Sequence, residues 1–268
     1  MIFTDFSFMF LPRKLNQVLT ILFILILSPG IVSADYSNHP KAVELIDELV
    51  KEYDFDRASL VSLFSEAERK ESILEAIARP AEKRLEWFEY RKIFITKDRI
   101  NKGLAFIQQH LTTLERAEEQ FGVPKEIIAS IIGVETFYGK RQGNYRVLDS
   151  LSTLAFDYPK RSLFWRELKE FFVMSQEQQV DPGSVKGSYA GAMGYGQFMP
   201  SSYRAYAIDF DDDEFTDIWN NPVDAIGSVG HYLKRHGWIE GQPIVNELSE
   251  TDMVGSEWLT SGLKLDFT

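Results

Sequence analysis

KEIIASIIGVETFYG, Lys125 to Gly139, is the stretch on which the fold turns. It follows Pro124, a residue suited to the first turn of a helix, and Ile127, Ile128, Ile131 and Ile132 recur at the spacing of one helical stripe. Gly139 is a natural stop. One carboxylate interrupts the pattern: steps of three and four from Ile128 through Ile131 land on Glu135. The spacing therefore puts Glu135 in the apolar stripe and predicts a buried side chain. Burial disfavours the charged form of a carboxylate and raises its pKa, which makes Glu135 a candidate general acid. The same position suits a buried Glu that pairs with Arg141, Arg146 or a backbone amide and only locks the fold.

Outward from this helix the apolar residues keep the same period. From His39 to about Gln120 the pattern is helical, with Ala42, Leu45, Ile46, Leu49 and Val50 as one example and Leu60 to Ala78 as another. Pro80 interrupts it. WFEYRKIFIT, Trp87 to Thr96, reads as a short aromatic, extended piece before a long helix from Lys97 to Gln120. Further helices are expected over Ser162 to Gln179 and Val223 to His236. Strand-like runs are few and do not alternate with helices, so the fold class is mainly α with few short strands. A helical lobe over 39–120 precedes a core over 121–245.

The 268 residues are 44% hydrophobic and 26% charged, a globular composition. A formal charge of -11 argues against nucleic acid, whose binding needs basic patches that displace condensed counterions. The N-terminus reads as an export signal over residues 1–34: Arg13 and Lys14 form the charged head, Val18 to Leu27 the apolar segment, Pro29 and Gly30 the breaker, and Val32-Ser33-Ala34 the cleavage site. Met9 is an alternative start. The competing reading is an uncleaved anchor, since Leu15 to Ala34 carries no charge and reaches the roughly 20 residues of a spanning helix. With no cysteine, the chain has neither disulfides nor a site for a lipid-modified cysteine.

KGSYAGAMGYGQFMPSSY, Lys186 to Tyr203, combines four glycines with the flat faces of Tyr189, Tyr195 and Phe198, which suits a sugar chain as well as an ordinary loop. It matches neither a dinucleotide-binding nor a P-loop motif. Further on, DFDDDEFTDIWNNPVD sets Asp209, Asp211 and Asp213 at alternate positions and then the carbonyl of Phe215, as in the first half of a Ca²⁺ loop. Glu214 stands where the turn glycine is usual and Asn220 where a closing glutamate is usual. His231 and His236, five apart, share no helical face, and no HExxH or GxSxG is present.

Taken in order, WFEYRKIFIT, IIGVETFYG, LDSLSTLAFDYPKRS, KGSYAGAMGYGQFMPSSY and NPVDAIGSVGHYLKRHGW resemble the lytic murein transglycosylase B family over about residues 40–245. The resemblance implies a lysozyme-like helical catalytic domain in an exported, periplasmic enzyme. Its implied substrate is the peptidoglycan glycan strand, cut between N-acetylmuramic acid and N-acetylglucosamine without water to leave a 1,6-anhydromuramyl end. Glu135 matches the family's catalytic acid. Ser188, Gln197, Tyr232 and Arg161 match residues of the sugar cleft, although each alone reads as a turn hydroxyl, a loop amide, a core aromatic and a helix cap. No cofactor is implied for the chemistry. The resemblance also implies a structural Ca²⁺, with Asp224 as the closing carboxylate. Beyond about Val245 the chain departs from the family, whose aromatic-rich continuation does not follow in 246–268. A monomer is expected, with other cell-wall enzymes as further partners. The rival readings are a muramidase that admits water at the same bond and a non-catalytic peptidoglycan-binding or scaffold protein.

Overall fold

Residues 36–79, 85–159 and 161–245 are described by a computed structural model. The export signal read over 1–34 and the departure over 246–268 lie outside the described residues. The chain divides into two units between Arg69 and Lys70, so the helical lobe read over 39–120 is shared between them.

The described part of the first unit is a helix pair, α1 (Pro40–Tyr53) and α2 (Arg57–Glu66). Each begins on a side-chain cap: His39 accepts from Lys41 N, and Asp56 accepts from Ser59 N at 2.7 Å. The apolar period then does what it predicts, since Leu45, Ile46 and Leu49 of α1 and Leu60 and Phe64 of α2 are buried.

In the second unit nine helices and two two-residue strands are described. They are α3 (Glu71–Ala78), α4 (Trp87–Phe94), α5 (Lys97–Gln109), α6 (Leu111–Phe121), α7 (Lys125–Thr136), β1 (Tyr145–Arg146), α8 (Val147–Asp157), α9 (Arg161–Glu177), β2 (Lys186–Gly187), α10 (Pro200–Tyr206) and α11 (Pro222–Arg235). The expectation of a mainly α fold with few short strands holds.

Two local expectations need correction. WFEYRKIFIT is helical over Trp87–Phe94 and not extended. Its rings sit three and four residues apart, so they touch along a helix: Trp87 and Tyr90 lie 6.4 Å apart, Tyr90 and Phe94 5.1 Å. The long helix expected from Lys97 to Gln120 is broken at His110, which ends α5 and begins α6. The break lets the two halves face different neighbours, α5 packing on α7 and α6 on both α7 and α11.

Helix α7 is seated by an aromatic wedge. Phe137 and Tyr138 both take left-handed backbone, φ 54° and 59°, an uncommon conformation for bulky residues that persists only when the surroundings over-determine it. Here the wedge does so. A Cβ at Gly103 of α5 would lie 2.3 Å from the Tyr138 Oη, and one at Gly133 of α7 2.6 Å from its ring. The two bare backbones form the slot that holds the ring. Gly133→Ala is therefore expected to destabilise the fold by about 1–3 kcal/mol through overpacking. Urea unfolding checks this, and adding the same change to Tyr138→Ala should cost less; equal losses in both backgrounds would mean that the ring does not need the slot.

The short α10 lacks a cap of its own. Glu167 of α9, 2% exposed, supplies one by accepting from Ser201 N at 2.9 Å and Ser201 Oγ at 2.8 Å. This docks α10 on α9 and carries the chain from the glycine-rich loop back to the core.

Candidate active site

The buried side of α7 consists of Ile128, Ala129, Ile132, Gly133 and Thr136. Glu135 is not part of it. Its side chain is exposed, correcting the burial expected from the sequence, because the Ile131–Glu135 edge faces a cleft instead of the core. That cleft holds about 310 Å³ and is closed on other sides by Gly196 to Met199 and Ser202, and by Val229, Tyr232 and Leu233 of α11.

Solvent reaches the Glu135 carboxyl from the open side, yet the apolar walls thin the water around it. This desolvation pushes its pKa up. Its place in the last turn of α7, at the negative end of the helix dipole, acts in the same direction. Among the described residues Glu135 makes no hydrogen bond or ion pair. The arginines that could have locked it are engaged elsewhere: Arg146 pairs with Asp149 at 2.7 Å, and the Arg141 guanidinium stands 4.9 Å from the Phe137 ring centre.

The loop opposite is folded back on itself. β1 and β2 pair antiparallel with Tyr145 opposite Gly187, and single bridges join Gly187 to Met193 and Met193 to Phe198. Thr136 Oγ1, next to Glu135, donates to the Tyr195 carbonyl at 2.9 Å and so ties the loop to the end of α7. Through this arrangement Gln197 reaches the cleft with left-handed backbone, φ 51°.

Of the residues read from the sequence, the structure brings together Glu135, Gln197, Phe198 and Tyr232, while Tyr189 and Tyr195 do not line the cleft. The Tyr232 ring meets Phe198 edge-on at 5.7 Å and stacks on His236 at 3.9 Å. Ser188 does not line this cleft. Its hydroxyl accepts from Ala190 N and Ala192 N at 3.3 and 3.0 Å, which is turn chemistry. Arg161 begins α9, and its side chain lies outside the described residues. Sequence reasoning missed Ile131, Met199, Ser202, Val229 and Leu233. Val229 and Leu233 carry a usable signal, because they flank Tyr232 on one helical face.

Asp209, Asp211 and Asp213 bring carboxylate oxygens within 4.8 Å of one another. That spacing is within the span of oxygens that share one Ca²⁺. The loop turns as such a site requires: Glu214 adopts φ 73° in place of the usual glycine, and Asp209 accepts from Glu214 N at 2.8 Å. Phe215 follows, exposed, its amide held by Asp213. Asp224 is fully buried behind the loop and accepts from Phe210 N and Asp217 N, both at 2.8 Å. Burial pushes its pKa up, and the negative Asp211 and Asp209 add to that. A divalent cation would relieve this repulsion, and the three clustered carboxylates suit Ca²⁺; Asp224 is not grouped with them, both its oxygens being taken by backbone amides. Asn220 instead donates to Asp217 and supplies no closing carboxylate.

The family described as Transglycosylase SLT domain matches residues 37–261. The chain belongs to the transglycosylase SLT family. Among the family's characterised relatives, membrane-bound lytic murein transglycosylase B of Escherichia coli strain K12 is 44% identical over 223 residues, or 80% of this chain. The chain spans 62% of that relative's length. The crystal structure of soluble lytic transglycosylase SltB1 from Pseudomonas aeruginosa superposes with a TM-score of 0.74 at 55% identity, covering 76% of this chain and 69% of SltB1. Escherichia coli lytic transglycosylase Slt35, solved in complex with calcium, gives a TM-score of 0.74 at 47% identity, covering 78% of this chain and 67% of Slt35. These likenesses show the lysozyme-like transglycosylase fold.

Proposed function

We propose that the chain is a peptidoglycan lytic transglycosylase in which Glu135 acts first as general acid and then as general base. One observation carries the reading: a desolvated carboxyl, unpaired among the described residues, stands in an open cleft whose described lining holds no second carboxylate. Most glycosidases that deliver water or form a glycosyl-enzyme use two carboxyl groups across the sugar, substrate-assisted enzymes being the exception. A transglycosylase needs one, because the substrate supplies the nucleophile. Neither Asp149, buried against Arg146, nor Asp157 at the end of α8 is among the residues that line the cleft.

In this mechanism the neutral Glu135 protonates the bridging oxygen as the bond from C1 of the muramic acid breaks. The N-acetyl carbonyl of the same sugar supports the electron-poor C1. The Glu135 carboxylate then takes the proton from the C6 hydroxyl, whose oxygen bonds to C1 and closes the 1,6-anhydro ring. The acid is regenerated, and no water enters. Gln197 and Tyr232 line the same walls and suit sugar contacts, a polar amide and a flat ring.

Digestion of purified sacculi with mass analysis of the products tests this. The expected fragments are lighter by one water than hydrolytic ones. Reducing ends as the main product would make the chain a muramidase, and binding with no release would make it a binding protein.

Asp209, Asp211, Asp213, the Phe215 carbonyl and Asp224 form the proposed Ca²⁺ site, with a structural role distant from the proton transfers. The calcium in Slt35 supports that choice. Calorimetric titration of metal-free protein should give saturable heat; none at millimolar Ca²⁺ removes the site. The N-terminal signal pattern and the envelope setting of murein support export to the periplasm, where peptidoglycan strands are the partner.

A further inference from the structure

Gln197 is held in a way that fixes what it can recognise. Its Nε2 donates to the carbonyls of Gly194 at 3.0 Å and Gln142 at 3.2 Å. A flipped amide would set its Oε1 against both carbonyl oxygens, so only one orientation is compatible with the loop. Oε1 remains as an acceptor with no partner among the described residues. The Gln142 carbonyl is itself pinned. The Gln142 side chain donates through Nε2 to the Gly139 carbonyl at 3.1 Å and the Trp219 carbonyl at 2.9 Å. Gly143, next in the chain, has φ 98°, and a Cβ there would lie 2.0 Å from the Gly187 carbonyl oxygen. The Gln142–Gly143 backbone is thus clamped between the Trp219 segment and the glycine-rich loop.

We infer that Gln142 is a positioning residue that locks the Gln197 amide so that its oxygen faces the cleft as an acceptor, selecting a sugar donor group such as a hydroxyl or the acetamido N–H. The selection rests on the cleft being the glycan site proposed above. Gln142 touches no substrate. It acts by joining three segments, the turn after Glu135, the glycine-rich loop and the acidic loop that contains Trp219. Its side-chain donors, half-buried and aimed at two main-chain carbonyls, cannot be replaced by water without loosening the turn.

Gln142→Met keeps the length and removes the donors. In NMR spectra the Gln197 side-chain amide protons, assigned by their loss in Gln197→Ala, should move toward solvent-exposed positions in Gln142→Met. With soluble glycan strands as substrate, Gln142→Met should raise KM about fivefold, the worth of a typical hydrogen bond, with kcat within about twofold. Added to Gln197→Ala it should raise KM no further. Unmoved amide signals, or KM losses that multiply in the double variant, overturn the inference. The NMR result stands apart from activity: if the amide signals move as expected but the wild type releases no anhydro product, the positioning role holds and the enzymatic reading alone fails.

Discussion

Glu135→Gln releases about 10³-fold less anhydromuramyl product from sacculi than the parent chain, the scale of losing a positioned general acid and base. Gln has nearly the same shape but cannot give up a proton to the bridging oxygen or take one from C6. The fold should not suffer, because Glu135 is exposed to the cleft and makes no hydrogen bond or ion pair among the described residues. With a folded-state pKa above the usual Glu value, the native chain holds the proton more tightly than the unfolded one between the two values. Stability therefore falls as pH rises through that window, and it stays lower above it. Gln removes the penalty, so at pH 7 the variant should melt at or above the parent temperature. The parent kcat/KM should decline with pH along a limb displaced above the ordinary Glu range, since the free enzyme must carry the proton. A variant that keeps its product yield ends the mechanism; one that melts markedly lower shows a carboxylate holding the structure.

Asp224→Ala carries the largest expected loss of stability. The carboxylate is fully buried and accepts from Phe210 N and Asp217 N, the two ends of the acidic loop. Removing it leaves the buried Phe210 amide and the half-buried Asp217 amide without their acceptor, at a cost of about 2–4 kcal/mol. For a chain this size that corresponds to roughly 5–15 °C in melting temperature. Asp224→Asn should fall between, because its amide can accept at only one end. Scanning calorimetry in chelator and in excess Ca²⁺ distinguishes the two contributions of Asp224: the loss in chelator reports the hydrogen bonds, and any extra loss in Ca²⁺ reports ligation. A melting temperature unchanged in chelator would refute the structural part.

The helices were legible because their signal is local. The isoleucine stripe before Glu135, the period of Ala42 to Val50 and the helix over Val223 to His236 are each read within a few turns. Aromatic density made WFEYRKIFIT look extended, whereas ring contacts at three and four residues stabilise it as a helix. The break at His110 had no punctuation to reveal it, since its cause is the separate packing of α5 and α6. The cleft was half legible. Glu135 came from the helical spacing and Gln197 and Tyr232 from the family resemblance, while Gln142 could not have been found, because its partners Trp219 and Gln197 are remote in sequence.

By itself, the sequence determined that α7 exists, where it starts, and that a carboxylate rides near its end, whereas the helix stops at Thr136, before Gly139. Backbone hydrogen bonding and side-chain period act over single turns and need no distant partner. Which edge of α7 meets water was decided only when α11 and the glycine-rich loop closed around it. A stripe of isoleucines followed by a glutamate describes a core face and a cleft wall equally well, and the difference lies in what chain, folded from far downstream, stands on the other side.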